Sequence, residues 1–151
     1  MLEAQPSLRG QLRPDHHVLL HRPAESGDAV ALDTMLASGF DPDARDQDNV
    51  TPLHRASMGG HPDAVRVLLA RGADIHALDG MFAATPLIWA VEGRSHPRPG
   101  ADYVAVARRL IAAGSSIEWA VPEGAPDVER TTDGLVELVA LARADTGEVR
   151  S

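Results

Sequence analysis

The stretch TPLHRASMGGHPDAVRVLLARGADIHALD, residues 51–79, decides the fold. Thr51 can cap a helix, because its hydroxyl can accept from a free backbone N–H of the first turn. Pro52 suits the first helical position, where its missing N–H costs nothing. Gly59 and Gly60 end that helix, since glycine tolerates the left-handed turn needed there. His61 opens a second helix, with Pro62 at its first position and Asp63 near the positive end of the dipole. Val65, Leu68 and Leu69 recur at i, i+3 and i+4 as one apolar stripe. Gly72 ends the second helix, and ADIHALDGM is an extended, turn-forming exit. Neither helix exceeds about ten residues, a length that is marginal alone in water and stable once stacked on neighbours.

The same pattern stands one period upstream. VLLHRPAESGDAVALDTMLASGFDPDARD (18–46) aligns with 51–79 without a gap: Leu20 falls on Leu53, His21 on His54, Gly27 on Gly60, Leu36 on Leu69, Gly39 on Gly72, Asp41 on Asp74, Ala44 on Ala77 and Asp46 on Asp79. The shift is 33 residues at every pair. A third copy begins one residue late at TPLIWAVEGR (85–94) and resumes in VAVARRLIAAGSSI (104–117), where Leu110, Ile111, Gly114 and Ile117 match Leu68, Leu69, Gly72 and Ile75. Between its halves lies the insertion SHPRPGAD (95–102). Two prolines and a glycine predict a surface loop there rather than a longer helix. Arg94, His96 and Arg98 make it locally basic.

These residues resemble an ankyrin repeat. The Thr-Pro-Leu-His start, the Gly-His between helices, the Leu-Leu pair and the Gly-Ala-Asp exit are all present in 51–79. Copy one has Val18-Leu19 for Thr-Pro and Pro23 where the family prefers alanine; copy three has Ile88 for the histidine. The resemblance implies an all-α solenoid of about three helix-turn-helix repeats, at about 15–47, 48–80 and 81–120, with a divergent helical C-terminal cap at 121–151. Residues 1–14 read as an N-terminal arm or a partial cap. In the cap, Pro126 and Asp127 are candidates to start a helix. Leu135, Leu138, Val139 and Ala142 lie at i, i+3, i+4 and i+7, and Gly134 leaves open whether there is one helix or two.

Composition narrows the function classes. At 151 residues the chain is one domain's worth, and its net charge of −8 disfavours a nucleic-acid partner, which needs a basic stripe. Arginine supplies every one of the 14 cationic side chains. Zero cysteines exclude disulfides, thiolate zinc sites and thiol chemistry. The amino terminus shows no apolar run after a basic segment, and no stretch approaches the roughly 18 apolar residues of a membrane span. The expectation is a soluble, cytoplasmic, monomeric protein that binds neither membrane nor nucleic acid.

His54 is the residue to weigh as a catalytic base or a ligand. It recurs as His21 and is replaced by Ile88, so it marks a structural position that repeats with the architecture. The resemblance implies that it bridges by hydrogen bonds toward Thr51 and the adjoining hairpin backbone. The alternative function class is a small metal-binding or hydrolytic protein using His16, His17 and His21 of DHHVLLH (15–21), with Asp15 or His16 as the third ligand. No glutamate stands as in HExxH. The run DPDARDQDN (41–49) resembles a calcium loop but lacks the glycine at its sixth position and the glutamate at its twelfth. No phosphate-cradling or nucleophile-elbow pattern is present. The chain therefore reads as a non-enzyme without cofactor.

The leading reading is a protein-interaction module. The resemblance implies a curved slab whose concave face, built from hairpin tips and first helices, carries recognition. It points to Gln47, Asp48, Val50, Met58 and Gly59 in copy two, and to His17, Glu25 and Ser26 in copy one. In copy three it points to Met81 and Phe82 of the hairpin GMFAA, and to Glu92. Two large apolar residues at a hairpin tip are either a binding patch or are covered by Trp119 or the helix beneath. Trp89, in a first-helix position, reads as core. The acidic balance favours a partner with a basic surface.

Overall fold

The computed structural model describes residues 14–119, 121, 123–125 and 127–144. Its helices are α1 (Pro14–His17), α2 (His21–Ser26), α3 (Ala29–Ala37), α4 (Pro52–Gly59), α5 (Pro62–Ala70), α6 (Pro86–Ser95), α7 (Tyr103–Ala112) and α8 (Val128–Ala144), with a 3-10 turn at Val18–Leu20. They form two layers. Helices α2, α4 and α6 stack in one; α3, α5 and α7 stack in the other; α8 closes the end by packing on both α6 and α7. The arm at 1–13, Pro126 and the Asp15 side chain lie outside what is described.

Stacking follows from the period. Leu20, Leu53 and Leu87 hold the same position in successive first helices, and each is fully buried. Small side chains at Ala56 and Ala90 let those helices approach closely, and the second layer adds Leu32, Leu68 and Leu110, also fully buried. Removing one such leucine to alanine typically costs about 2–5 kcal/mol. The helix stops fall where expected: Gly27, Gly60 and Gly72 take φ of 80°, 72° and 88°, the left-handed region that only glycine enters cheaply.

Departures from the repeat pattern have local physical consequences. Copy one lacks Thr-Pro, so its first helix begins as the 3-10 turn Val18–Leu20 without a side-chain cap. In copy three the counterpart of Gly60 is Arg94, which does not enter the left-handed turn cheaply. The helix α6 therefore runs on to Ser95, and the insertion lengthens that helix before it becomes loop. Its basic character is spent internally: Arg94 pairs with Glu137 at 2.8 Å and Arg98 with Glu25 at 3.7 Å. The cap is one helix, not two. Gly134 sits inside α8 because a Cβ there would lie 2.8 Å from Val91 Cγ1 of α6. Leu135, Leu138, Val139 and Ala142 are its buried face, as their spacing predicts.

The threonine caps diverge with the histidine. Thr51 Oγ1 lies 2.8 Å from His54 Nδ1 and accepts from the His54 backbone N–H at 3.3 Å, completing a capping box. In copy three Ile88 offers no such partner, and the buried Thr85 hydroxyl has none among the described residues. Thr51→Val is therefore expected to destabilise by about 1–2 kcal/mol, whereas Thr85→Val is neutral or stabilises by up to about 1 kcal/mol. Urea unfolding of the two variants checks this; equal losses would contradict the orphaned hydroxyl.

Candidate functional site

The histidines are bridges between repeats. His21 Nδ1 lies 2.9 Å from the Val18 carbonyl and Nε2 2.7 Å from the Val50 carbonyl. His54 Nε2 lies 2.9 Å from the Ala84 carbonyl, the equivalent oxygen one repeat on. Nδ1 of His54 faces the Thr51 backbone N–H at 3.3 Å, so it accepts, and Nε2 carries the proton toward Ala84. A second proton on Nδ1 would oppose that donor. Burial pushes the His54 pKa down to about 4, against the hydrogen bond to Ala84 that favours the charged form. Such a group is neutral near pH 7 and wholly engaged, which suits a fastener and not a base.

The N-terminal histidines are likewise occupied. His17 Nδ1 accepts from the Asp41 backbone N–H at 2.8 Å, and its ring meets Phe40 edge-on at 5.9 Å. His17 and His21 thus serve different backbone groups. Among the described residues, no three His, Asp or Glu side chains are gathered to hold a metal ion. Carboxylates of the 41–49 run serve backbone amides of the hairpins: Asp41 accepts from Asp43 N–H at 2.9 Å, Asp46 from Asp48 and Val50 N–H at 2.9 and 3.1 Å, and Asp43 from Asp74 N–H of the next repeat at 2.8 Å. Burial raises the Asp46 carboxyl, but Arg55 at 3.0 Å and those two amides overcome it and hold its pKa below the usual range.

The late start of copy three is located by its hairpin. Asp46 spans to Val50, whereas Asp79 spans one residue further, accepting from Ala84 N–H at 2.7 Å as well as from Met81 and Phe82 N–H at 3.1 and 3.2 Å. Ala83 takes the left-handed turn, φ 46°, as Asn49 does at φ 59° in the preceding hairpin, and Met81 and Phe82 stand outward, 51% and 37% exposed. Trp119 meets them from the next hairpin, its indole N–H donating to the Phe82 carbonyl at 3.3 Å. Beneath lie Ile88 and Trp89; Trp89 packs edge-on to His54 at 5.2 Å and carries Arg55 over its ring at 5.6 Å. Met58, Met81, Phe82, Trp89, Trp119 and Ile88 thereby line one mainly apolar groove of about 280 Å³.

Of the residues expected to choose a partner, Met58, Met81, Phe82 and Glu92 come together in this groove. Glu92 forms a wall, yet both its oxygens are taken, one by the Thr131 hydroxyl and one by Arg130 at 3.1 Å. Val50 must be corrected: it has no exposed surface, because the hairpin turns its side chain into the core while its carbonyl faces His21. Gly59 is buried as well, under the His61 ring. Gln47 and Asp48 are exposed at the preceding hairpin tip, and Glu25 faces the insertion through Arg98; none of the three lines the groove. Trp89, read as core, is buried, and it also lines the groove; Ile88 and Arg55, which line it too, were not among the expected contacts. The signal for the groove as a whole was compositional: three of the five aromatic residues, including both tryptophans, line it.

The family model for ankyrin repeats in three copies matches residues 20–118, well over half of the chain. The chain belongs to the ankyrin-repeat family. Ankyrin repeats are general protein–protein interaction modules, and the two-layer helical solenoid is their architecture. This ankyrin-repeat chain is 62% identical over 34 residues to ankyrin repeat domain-containing protein 49 of Bos taurus, covering 22% of this chain and 14% of that protein. It is 42% identical over 64 residues to the B-cell lymphoma 3 protein homolog of Mus musculus, covering 42% of this chain and 14% of that one. Palmitoyltransferase Hip14 of Drosophila melanogaster is 31% identical over 90 residues, 59% of this chain and 14% of its own length. The ankyrin-repeat chain thus spans 14% of the length of each of these relatives. Among its described residues, no helix is long and apolar enough to cross a membrane.

Proposed function

We propose that this chain is a non-enzymatic interaction module that binds a partner protein through the groove between the second and third hairpins. One observation carries the reading: aromatic residues are scarce in this chain, yet both tryptophans and Phe82 gather with Met58 and Met81 in one partly open groove. Trp and other large anchors in a desolvated pocket are the usual source of binding energy at interfaces. The exposed Gln47 and Asp48 extend the contact along the hairpin tips. Residues 128–144 act as the terminal cap, and the free protein is a cytoplasmic monomer.

Affinity capture from the native cell tests this. A Met81→Asp, Phe82→Asp double variant is expected to lose the partner, with affinity about thirtyfold weaker, as for a hot spot of about 2 kcal/mol. Met81 is half exposed and Phe82 about a third exposed at the hairpin tip, outside the stacked helices, so circular dichroism and melting temperature should stay close to wild type. Identical partner lists for the two proteins would remove the groove from the reading.

A further inference from the structure

The groove also carries information about the chemistry of its occupant, on the reading that it is the binding site. Its volume of about 280 Å³ falls at the lower edge of the range of about 300–1,000 Å³ for small-molecule sites. That suits one large side chain and its flanking backbone. The floor is apolar and aromatic, so that side chain is bulky and apolar.

Charge decides the rest. The two cations at the groove are already engaged: Arg55 with Asp46 at 3.0 Å, and Arg130 with Glu92 at 3.1 Å and Asp127 at 3.4 Å. Glu118 immediately precedes Trp119, Glu123 lies in the same hairpin segment, and the Asp48 carbonyl accepts from Gly80 N–H of the groove's own hairpin at 3.3 Å. These three residues are exposed, and none of their carboxylates forms an ion pair among the described residues. They do not line the groove, but the segments that carry Trp119 and adjoin Met81 hold acid without an ion pair, and the neighbouring Arg45 donates to the Asn49 and Leu78 carbonyls at 2.9 and 2.6 Å. A second copy of this chain, with net charge −8, would bring like charge to those segments.

We infer that the groove receives a peptide segment of a partner protein in which a bulky apolar side chain stands beside a lysine or arginine. The apolar residue enters between Phe82, Trp89 and Trp119, and the cation meets Glu118, Glu123 or Asp48. The aromatic contacts hold the segment; the carboxylates select it and speed its approach.

The test is selection of a random twelve-residue peptide display library on the full chain, followed by titration of the enriched peptides at low salt. Tryptophan emission is the readout, because both tryptophans line the groove. Enriched sequences are expected to place Leu, Ile, Phe or Trp within a few residues of Lys or Arg and to shift the emission. They should bind at least about tenfold more weakly to Phe82→Asp, and about fivefold more weakly to Glu118→Gln, Glu123→Gln, which leaves the groove intact. Acidic or charge-indifferent peptides that still depend on Phe82 would overturn the inference while leaving the groove as the binding site. Peptides indifferent to Phe82→Asp would sink both readings. No enrichment, or an emission shift with protein concentration alone, also overturns it, the latter in favour of a second copy.

Discussion

Replacing His54 with alanine is expected to destabilise the protein by about 4 kcal/mol, through the sum of a cavity and two abandoned backbone partners. The imidazole is fully buried. Its loss strands the Ala84 carbonyl at one end and the Thr51 cap at the other, and removes the ring on which Trp89 packs. For a domain of this size that loss lowers the melting temperature by about 10 °C. The same geometry sets a pH dependence. The folded pKa is depressed to about 4, from the ordinary histidine value of 6.5, so between those values the unfolded chain binds the proton that the folded chain refuses. Stability from this source is fully present above pH 6.5 and is lost as pH falls through 4. The difference corresponds to about 3 kcal/mol. Chemical denaturation at pH 7 and pH 4.5 in wild type and His54→Gln isolates it, because the amide cannot titrate. Parallel pH profiles in the two proteins would show that the imidazole is not held neutral.

Gly93→Ala is expected to cost about 3 kcal/mol or more, with a sign opposite to helix propensity. Inside a helix, alanine is favoured over glycine by about 1 kcal/mol. Gly93 lies within α6 where that helix crosses α4, and a Cβ there would stand 2.3 Å from the Met58 carbonyl oxygen and 2.7 Å from Tyr103 Cε1. That carbonyl accepts from the Tyr103 hydroxyl at 2.9 Å, so the added methyl both separates the helices and breaks the bond that ties α7 to α4. Neither obstacle is a flexible chain end. Gly134→Ala is the useful contrast, since its Cβ would meet only a methyl of Val91 at 2.8 Å. There the helical gain and the small clash leave a change within about 1 kcal/mol of zero. Denaturant unfolding separates the two. A Gly93→Ala protein as stable as wild type would rule out this close approach of α4 and α6.

The histidine position was legible before any coordinates because it recurs: a group found at 21 and 54 and lost at 88 belongs to the repeat and not to a reaction. The second-helix stripes and the amphipathic face of the cap were legible for a related reason, since a buried helical face must repeat its apolar residues at helical spacing. Val50 was misread because offset rules place a backbone position, not the direction of its side chain, and that direction follows the hairpin's own hydrogen bonds. The insertion is the surface loop its prolines predict, but its ion pairs, and the engagement of Glu92, are not legible in the sequence because the partners, Glu137 and Glu25 for the one and Arg130 and Thr131 for the other, lie at least 38 residues away.

By itself the sequence determined the period, the helix stops and the structural, repeating place of His54, and the family resemblance supplied the stacked solenoid and the histidine's bridging role. Each of these rests on contacts within a repeat or between neighbouring repeats, so each is written again in every copy. Only the tertiary structure decided where the copies cease to be equivalent. One extra residue in the second hairpin, between Asp79 and Ala84, Ile88 in place of histidine, and α8 lying across two helices draw Phe82, Trp89 and Trp119 to a single groove. Those residues obey no common spacing, and what joins them is the packing of hairpin against hairpin, which no period records.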